Sequence, residues 1–349
     1  MKIASVASAF PKHRYKQEVL TQELKKFWVG ELDNPKLLDR LHANVGVDYR
    51  HLALPAEAYE NLATFGQANN AWIQCAEELG QAAICLALTR AGLDLHDIHA
   101  LFVVSVTGIA SPSLDARLIN RMGLSPNLKR IPIFGLGCVA GAAGIARAAD
   151  YVRAFPDHVA ALLSVELCSL TLRKDDMSVA NLISSGLFGD GAAAVLVTGS
   201  NLESAGPQIL ATRSVFYPDS EHVMGWDISE RGFRIVLSPE VPQMVERYLA
   251  RDVDAFLGDN GLTRADIGAW ILHPGGPKVL DATAAALNVP EGALDVSWEC
   301  LRRVGNLSSA SVLLVLEEFM LHRRPPAGTY SLLAAMGPGF CSELVLLRW

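Results

Sequence analysis

Cys138 sits in the decamer GLGCVAGAAG (135–144), between the apolar run RIPIF (130–134) and the alanine-rich AGAAGIARAADYVRAF (140–155). The first reads as a short strand and the second as a helix. A thiol at that corner lies beside the free N–H groups of a helix N-terminus, where the dipole favours an anion. The pattern therefore predicts a nucleophilic thiolate of lowered pKa. The flanking glycines permit a tight turn and let a substrate approach the backbone closely. The same letters fit a second chemistry. Gly135, Gly137 and Ala140 spell the dinucleotide fingerprint G-x-G-x-x-G/A, with Asp157 or Glu166 as the acid about 20 residues further on. An NAD-dependent dehydrogenase stays open at this point.

A nucleophilic cysteine needs a base or cation and donors for developing negative charge. Of nine histidines, only His273 ends a strand-like run (AWIL, 269–272) and enters a Pro-Gly-Gly turn. Asn306, in VGNLSSAS before the apolar run of 310–321, could be a helix cap or turn residue.

The elements that must carry these residues alternate. ALFVVSV (100–106), VAALLSV (159–165), AAAVLV (192–197), AWIL and ELVLLRW (343–349) read as buried strands. Residues 71–92, 241–261 and 310–321 read as helices, which together indicate an α/β fold. MKIASVASAF reads as a first strand, and the rest of the first 65 residues as polar helices and loops around the core. An internal repeat adds to this. GLDLHDIHALFVV from Gly92 matches GLTRADIGAWILH from Gly261 at an offset of 169 (261 − 92). Gly137-Cys138 falls opposite Gly305-Asn306, and GDGAAAVLV (189–197) resembles GPGFCSELV (337–345). Three matches in the same order predict two duplicated halves meeting at a pseudo-two-fold axis, which would bring Asn306 to Cys138.

Composition sets bounds. The chain has 349 residues, 50% of them hydrophobic and 19% charged, enough for one large domain or two fused ones. A net charge of −7 without a basic block argues against nucleic acid. Six scattered cysteines with no C-x-x-C pair argue against a zinc site or a disulfide framework, and for a cytoplasmic protein. No run of 18 apolar residues suggests a membrane span.

GCVAG at Cys138, LHPGG at His273, GNLSSAS at Asn306, GLFGDGA at Phe188 and MGPGF near the C-terminus together resemble the chalcone and stilbene synthase family, the type III polyketide synthases. The match runs from about residue 65 onward with the motifs in the family's order. It implies a thiolase-like fold of two α/β halves in a five-layered αβαβα arrangement, here 1–215 with the cysteine and 216–349 with histidine and asparagine. It also implies a homodimer, acyl-CoA and malonyl-CoA as substrates, and neither cofactor nor metal. Cys138 matches the acyl-carrying nucleophile. His273 and Asn306 match the pair that binds the thioester carbonyl and assists decarboxylation. Phe188 matches the gatekeeper between CoA tunnel and cavity. Gly337, Pro338 and Gly339 match the loop shaping the cyclisation cavity, and Ser308, Glu166, Cys168 and Thr171 match cavity positions. Ketoacyl synthase III, which works with a carrier protein, shares Cys, His and Asn but normally has Gln-Ala after its histidine.

The pattern departs from the plant enzymes at four places. Of the basic residues that bind CoA phosphates, only Arg40 matches, and a second position falls on Ala43. Ser111 stands where a methionine crosses the plant dimer. Trp226 replaces a cavity glycine. Val106 replaces a threonine that helps some relatives perform aldol closure, which favours a pyrone. ELCSLTLR (166–173) and FYPDSEHVMGWDI (216–228) look like the bacterial alkylpyrone and alkylresorcinol synthases. The resemblance thus implies a fatty acyl starter, with Cys168 lining its tunnel, and an alkylpyrone or alkylresorcinol product.

Overall fold

The computed structural model describes residues 1–32 and 34–349. Nine strands follow one another in a continuous order made of two sheets, joined where Lys2 pairs with Gln208 and the Ile3 and Ile209 N–H groups donate to Pro207 O and Met1 O. The first sheet runs Lys2–Ala9, Asp190–Thr198, Val159–Leu167, Ile98–Ser105, Lys129–Phe134. The last three strands are mutually parallel and the first two antiparallel to their neighbours. The second sheet runs Ile267–Leu272, Tyr330–Gly337, Cys341–Arg348, Gln208–Phe216. Strands Val159–Leu167 and Asp190–Thr198 are buried at every residue, as a sheet covered on both faces requires.

Helices Ala140–Ala154 and Ser311–Leu321 fill the middle, and their apolar residues form one core with inward residues of both sheets. A helix squeezed between two sheets must be apolar all round and slim. Ala140–Ala154 meets this with alanine and glycine. A Cβ on Gly141 would lie 2.2 Å from the Ser309 carbonyl oxygen, and one on Gly144 2.4 Å from Leu162. Phe65–Ala91 covers the outer face of the first sheet, and Val241–Asp259 with Pro277–Leu287 covers that of the second. The result is the expected αβαβα stack.

The repeat is structural. Gly92 and Gly261 both stand in the left-handed region, at φ +65 and +69, just beyond a long outer helix. A short 3₁₀ turn follows each, closed by Asp94 with Asp97 in one half and Thr263 with Asp266 in the other. The next strands begin at Ile98 and Ile267, 169 residues apart (267 − 98).

The strands Gln208–Phe216 and Tyr330–Gly337 and the hairpin Met224–Ser229/Gly232–Leu237 were not among the expected ones. The first and the hairpin are mostly half-buried or exposed, so apolar runs do not mark them. The division expected at 215/216 falls inside Gln208–Phe216. Among the described residues, no helix is long and apolar enough to cross a membrane.

Candidate active site

Cys138 lies in the 3₁₀ turn Gly137–Val139, between strand Lys129–Phe134 and helix Ala140–Ala154. The turn is jammed against the other half. A Cβ on Gly137 would meet Pro338 at 2.7 Å, and one on Gly337 would meet the Val139 nitrogen at 2.7 Å. His273 follows strand Ile267–Leu272, its N–H bonded to the Ala334 carbonyl at 3.0 Å. Asn306 follows Gly305, which turns at φ +77. The Asn306 N–H donates to Leu187 O and its carbonyl accepts from Gly189 N–H, both at 2.9 Å, so the Asn306 and Phe188 loops are stitched together.

The Asn306 side chain is fixed as well. Its Oδ1 accepts from the Ser308 N–H at 2.8 Å and the Ser311 hydroxyl at 3.2 Å, and its Nδ2 donates to Gly275 O at 3.2 Å. The amide edge of Asn306 is thus tied to the turn that follows His273. Asn306 is not the N-cap of the next helix, a place taken by Ala310. Cys138, His273 and Asn306 line one cavity of about 820 Å³, together with Phe188 and Lys278. Cys138 and Phe188 also line a second cavity of about 170 Å³, with Cys168, Thr171, Trp226, Ser308 and Pro338. Phe188, Met224 and Leu237 stand where the two meet.

The electrostatics correct one expectation. Burial pushes the Cys138 thiol up to about 12, outweighing the Ser308 and Asn306 side chains that pull it down. Burial also lowers His273 to about 4. Desolvation of each charge exceeds the helix-terminus benefit, so thiol and imidazole rest neutral. Both His273 ring nitrogens lack a hydrogen-bond partner although the residue is 8% exposed. A buried unpaired imidazole is costly and is free to accept a proton.

Several expected site residues lie elsewhere. Glu166 is fully buried behind the cavity wall, accepting from the Val106 N–H at 3.1 Å, the Thr107 hydroxyl at 2.9 Å, and the hydroxyls of Ser105 and Ser309. That also removes it as a ribose-binding acid. Gly337 and Gly339 line neither cavity; they pack against the Cys138 turn and against Phe216. Arg40 is exposed on helix Pro35–Ala43 and lines neither cavity, although Leu41 and Asn44 beside it line the larger one. Trp226 packs on Phe233 at 5.8 Å between ring centroids while facing the smaller cavity.

Three contributors went unnoticed in the sequence. Lys278 follows HPGGP at the start of helix Pro277–Leu287 and, among the described residues, is the one charged residue lining the larger cavity. Thr107 supplies a hydroxyl to the smaller cavity beside Val106, bonded to Glu166. Arg50 lines the smaller cavity from strand Tyr49–Leu52, where the alternation of burial signals an inward cation. Among the described residues no three or more His, Cys, Asp or Glu converge as metal ligands would.

The N-terminal domain of chalcone and stilbene synthases matches residues 3–201, and their C-terminal domain matches 208–349. The chain belongs to the chalcone and stilbene synthase family. It is 52% identical over 350 residues, 99% of this chain and 93% of the relative, to the 1,3,6,8-tetrahydroxynaphthalene synthase of Streptomyces peucetius subsp. caesius. It is 32% identical to the phloroglucinol synthase of Pseudomonas fluorescens, over 97% of each chain. Its fold superposes on the crystal structure of the tetrahydroxynaphthalene synthase of Streptomyces coelicolor A3(2), a bacterial type III polyketide synthase, with a TM-score of 0.95. That pair is 33% identical and covers 100% of this chain and 99% of that one. This synthase is accordingly a type III polyketide synthase, an acyltransferase that condenses CoA thioesters. The fingerprint at Gly135–Ala140 forms the Cys138 turn, and the dehydrogenase reading falls away. So does the carrier-protein ketoacyl synthase.

Proposed function

We propose that this synthase builds a poly-β-keto chain on Cys138 from malonyl-CoA units and closes it to a polyhydroxylated aromatic of the tetrahydroxynaphthalene kind. The 52% identity to a relative of that name over nearly the whole chain carries the reading. The size of the smaller cavity supports it: about 170 Å³ is below the ~300–1,000 Å³ usual for ligand pockets and suits a compact product.

Each residue then has a task. His273 takes the Cys138 proton as sulfur attacks the starter thioester, and CoA leaves as the thiol when His273 returns that proton. A malonyl thioester next places its carbonyl oxygen toward His273 and Asn306. As its carboxylate departs as carbon dioxide, the electron pair left behind forms an enolate, whose oxygen the two side chains stabilise. The enolate carbon attacks the Cys138 thioester, and the thiolate leaves. Decarboxylation supplies the carbanion, so neither metal nor redox cofactor enters. Lys278, with Arg40 on the nearby helix, offers positive charge to the CoA phosphates at the larger cavity. The exposed edge strand Lys129–Phe134 and the exposed Phe134 and Ile109 favour a homodimer paired there.

A second reading keeps a fatty acyl starter and an alkylpyrone or alkylresorcinol product. The smaller cavity favours it in one respect: beyond Cys168 its lining includes Leu20, Leu24 and Phe27 and reaches exposed Glu57 and Glu60, so an alkyl chain has an apolar way out. One experiment separates the two. The purified enzyme is given malonyl-CoA alone, then with acyl-CoAs of increasing length, and products are read by mass. Malonyl-CoA alone is expected to yield the hydroxylated aromatic; product only with long acyl starters overturns the first reading for the second.

A further inference from the structure

Arg50 is a buried charge that the proposed reaction leaves unused. It is 3% exposed, and arginine is almost never buried so deeply without a partner. Among the described residues, no carboxylate pairs with it. Its Nε donates to Gln17 Oε1 at 3.0 Å and its Nη1 to Phe188 O at 2.9 Å, both neutral acceptors. Among the described residues, its Nη2 has no hydrogen-bond partner. Asp190 acts on it as an opposite charge, but its oxygens are taken by the Ala53 N–H at 2.6 Å and by the Ser169 N–H at 2.8 Å and hydroxyl. The side chain lines the smaller cavity with Cys138, Cys168 and Ser308. A planar donor fork with spare N–H groups, inside a mostly apolar cavity that also holds the chain-carrying sulfur, is built to receive paired anionic oxygens.

We propose that Arg50 binds an anionic oxygen pair on the chain carried by Cys138, either a carboxylate on the starter or the enolate of a β-diketone further along. This rests on the polyketide reading of the site and adds to it a preference for acid-bearing chains. Such a group entering the cavity unpaired would lose its hydration without compensation; Arg50 replaces that hydration. The acylation is unchanged: sulfur forms the new thioester, the bond to CoA sulfur breaks, and CoA leaves as the thiol.

Succinyl-CoA and butyryl-CoA test this. Their acyl chains have equal length, one ending in carboxylate and one in methyl, and neither decarboxylates as malonyl does. Acylation of Cys138 is followed by intact mass in the wild type, Arg50→Lys and Arg50→Gln. The succinyl-to-butyryl rate ratio is expected to fall at least tenfold in Arg50→Gln and stay within threefold in Arg50→Lys, with butyryl loading within threefold throughout. Malonyl-CoA products are read in parallel. An unchanged loading ratio with a tenfold rise of short lactones over full-length product in Arg50→Gln assigns the site to the enolate. If neither ratio moves, or butyryl loading collapses along with the rest, the proposal is overturned and Arg50 merely props Phe188. The product reading fails separately, when wild-type enzyme makes no hydroxylated aromatic from malonyl-CoA while the loading preference holds.

Discussion

The larger and smaller cavities share Cys138, Phe188, Met224 and Leu237, yet they are built differently. The larger is walled by residues that backbone bonds hold in place: His273 at a strand end and Asn306 stitched to Leu187 and Gly189. Among the described residues, its one charged lining residue is Lys278. The smaller is walled by a 3₁₀ turn (Cys168–Thr171), by the half-exposed hairpin carrying Trp226, and by helix Gln17–Phe27, and it opens among Glu23, Glu57 and Glu60. Fixed donors suit making an enolate, because preorganised dipoles need no rearrangement as charge appears. Side chains on turns and a hairpin suit shaping a product, because they can change without disturbing the sheets. On the proposed function, the difference assigns rate to one cavity and product identity to the other.

Cys138 belongs to both, so its loss should have the largest effect on product formation. Cys138→Ala is expected to lower product formation by ~10⁴-fold or more, leaving only slow malonyl-CoA decarboxylation in the larger cavity. Acyl-enzyme by intact mass and evolved carbon dioxide separate the two functions. Wild-type turnover in this variant would break the assignment of the sulfur.

Next come the enolate donors. His273→Ala and Asn306→Ala should each slow decarboxylation by ~10²–10³-fold without changing the product that does form. Trp226→Gly should do the reverse: decarboxylation within about threefold of wild type, but a changed product pattern and larger starters accepted, since an indole is removed from the smaller cavity alone. If Trp226→Gly cuts decarboxylation as deeply as Asn306→Ala does, the cavities are not separable in function.

Lys278→Ala sharpens the contrast more gently. An exposed cation facing CoA phosphates is worth roughly 1 kcal/mol, so KM for malonyl-CoA should rise about fivefold with kcat unchanged, and less at high salt. An unchanged KM at low salt removes Lys278 from the CoA path.

The same contrast explains what could be read in the sequence. Cys138, His273 and Asn306 stand at ends of apolar elements beside glycine turns, and the in-order repeat already opposed Cys138 to Asn306. The stack and its middle helices were legible because strands buried on both faces are apolar throughout. The smaller cavity was not. Arg50 and Thr107 face inward only because distant segments fold over them, and Glu166 retreats from the cavity only because Thr107 and Ser309 reach it from two other elements. The resting state of Cys138 was misjudged for a related reason. A helix terminus shows in the sequence, whereas the depth of burial that overrides it is a tertiary property.

The last prediction turns on buried titratable groups of opposite sign. His273, in the larger cavity, is lowered to about 4, so below its unfolded value of 6.5 the unfolded chain binds the extra proton. Stability then falls as pH drops from 6.5 toward 4, by about 3 kcal/mol for a shift of this size. Glu166, behind the smaller cavity, is raised by burial to about 7, so the folded chain holds the proton. Its contribution is present below its unfolded value of 4.5 and is lost as pH rises through 7, by a similar amount. His42, also lowered to about 4, and Asp190, raised to about 6, reinforce the two limbs. The opposed slopes should leave the wild type nearly flat between pH 5 and 7. His273→Gln should remove part of the acid loss and make stability decline as pH rises from 5 to 7, whereas Glu166→Gln should tilt it the other way. Denaturant midpoints across that range read both slopes, and parallel profiles for the two variants would mean that neither group is held in the protonation state its burial dictates.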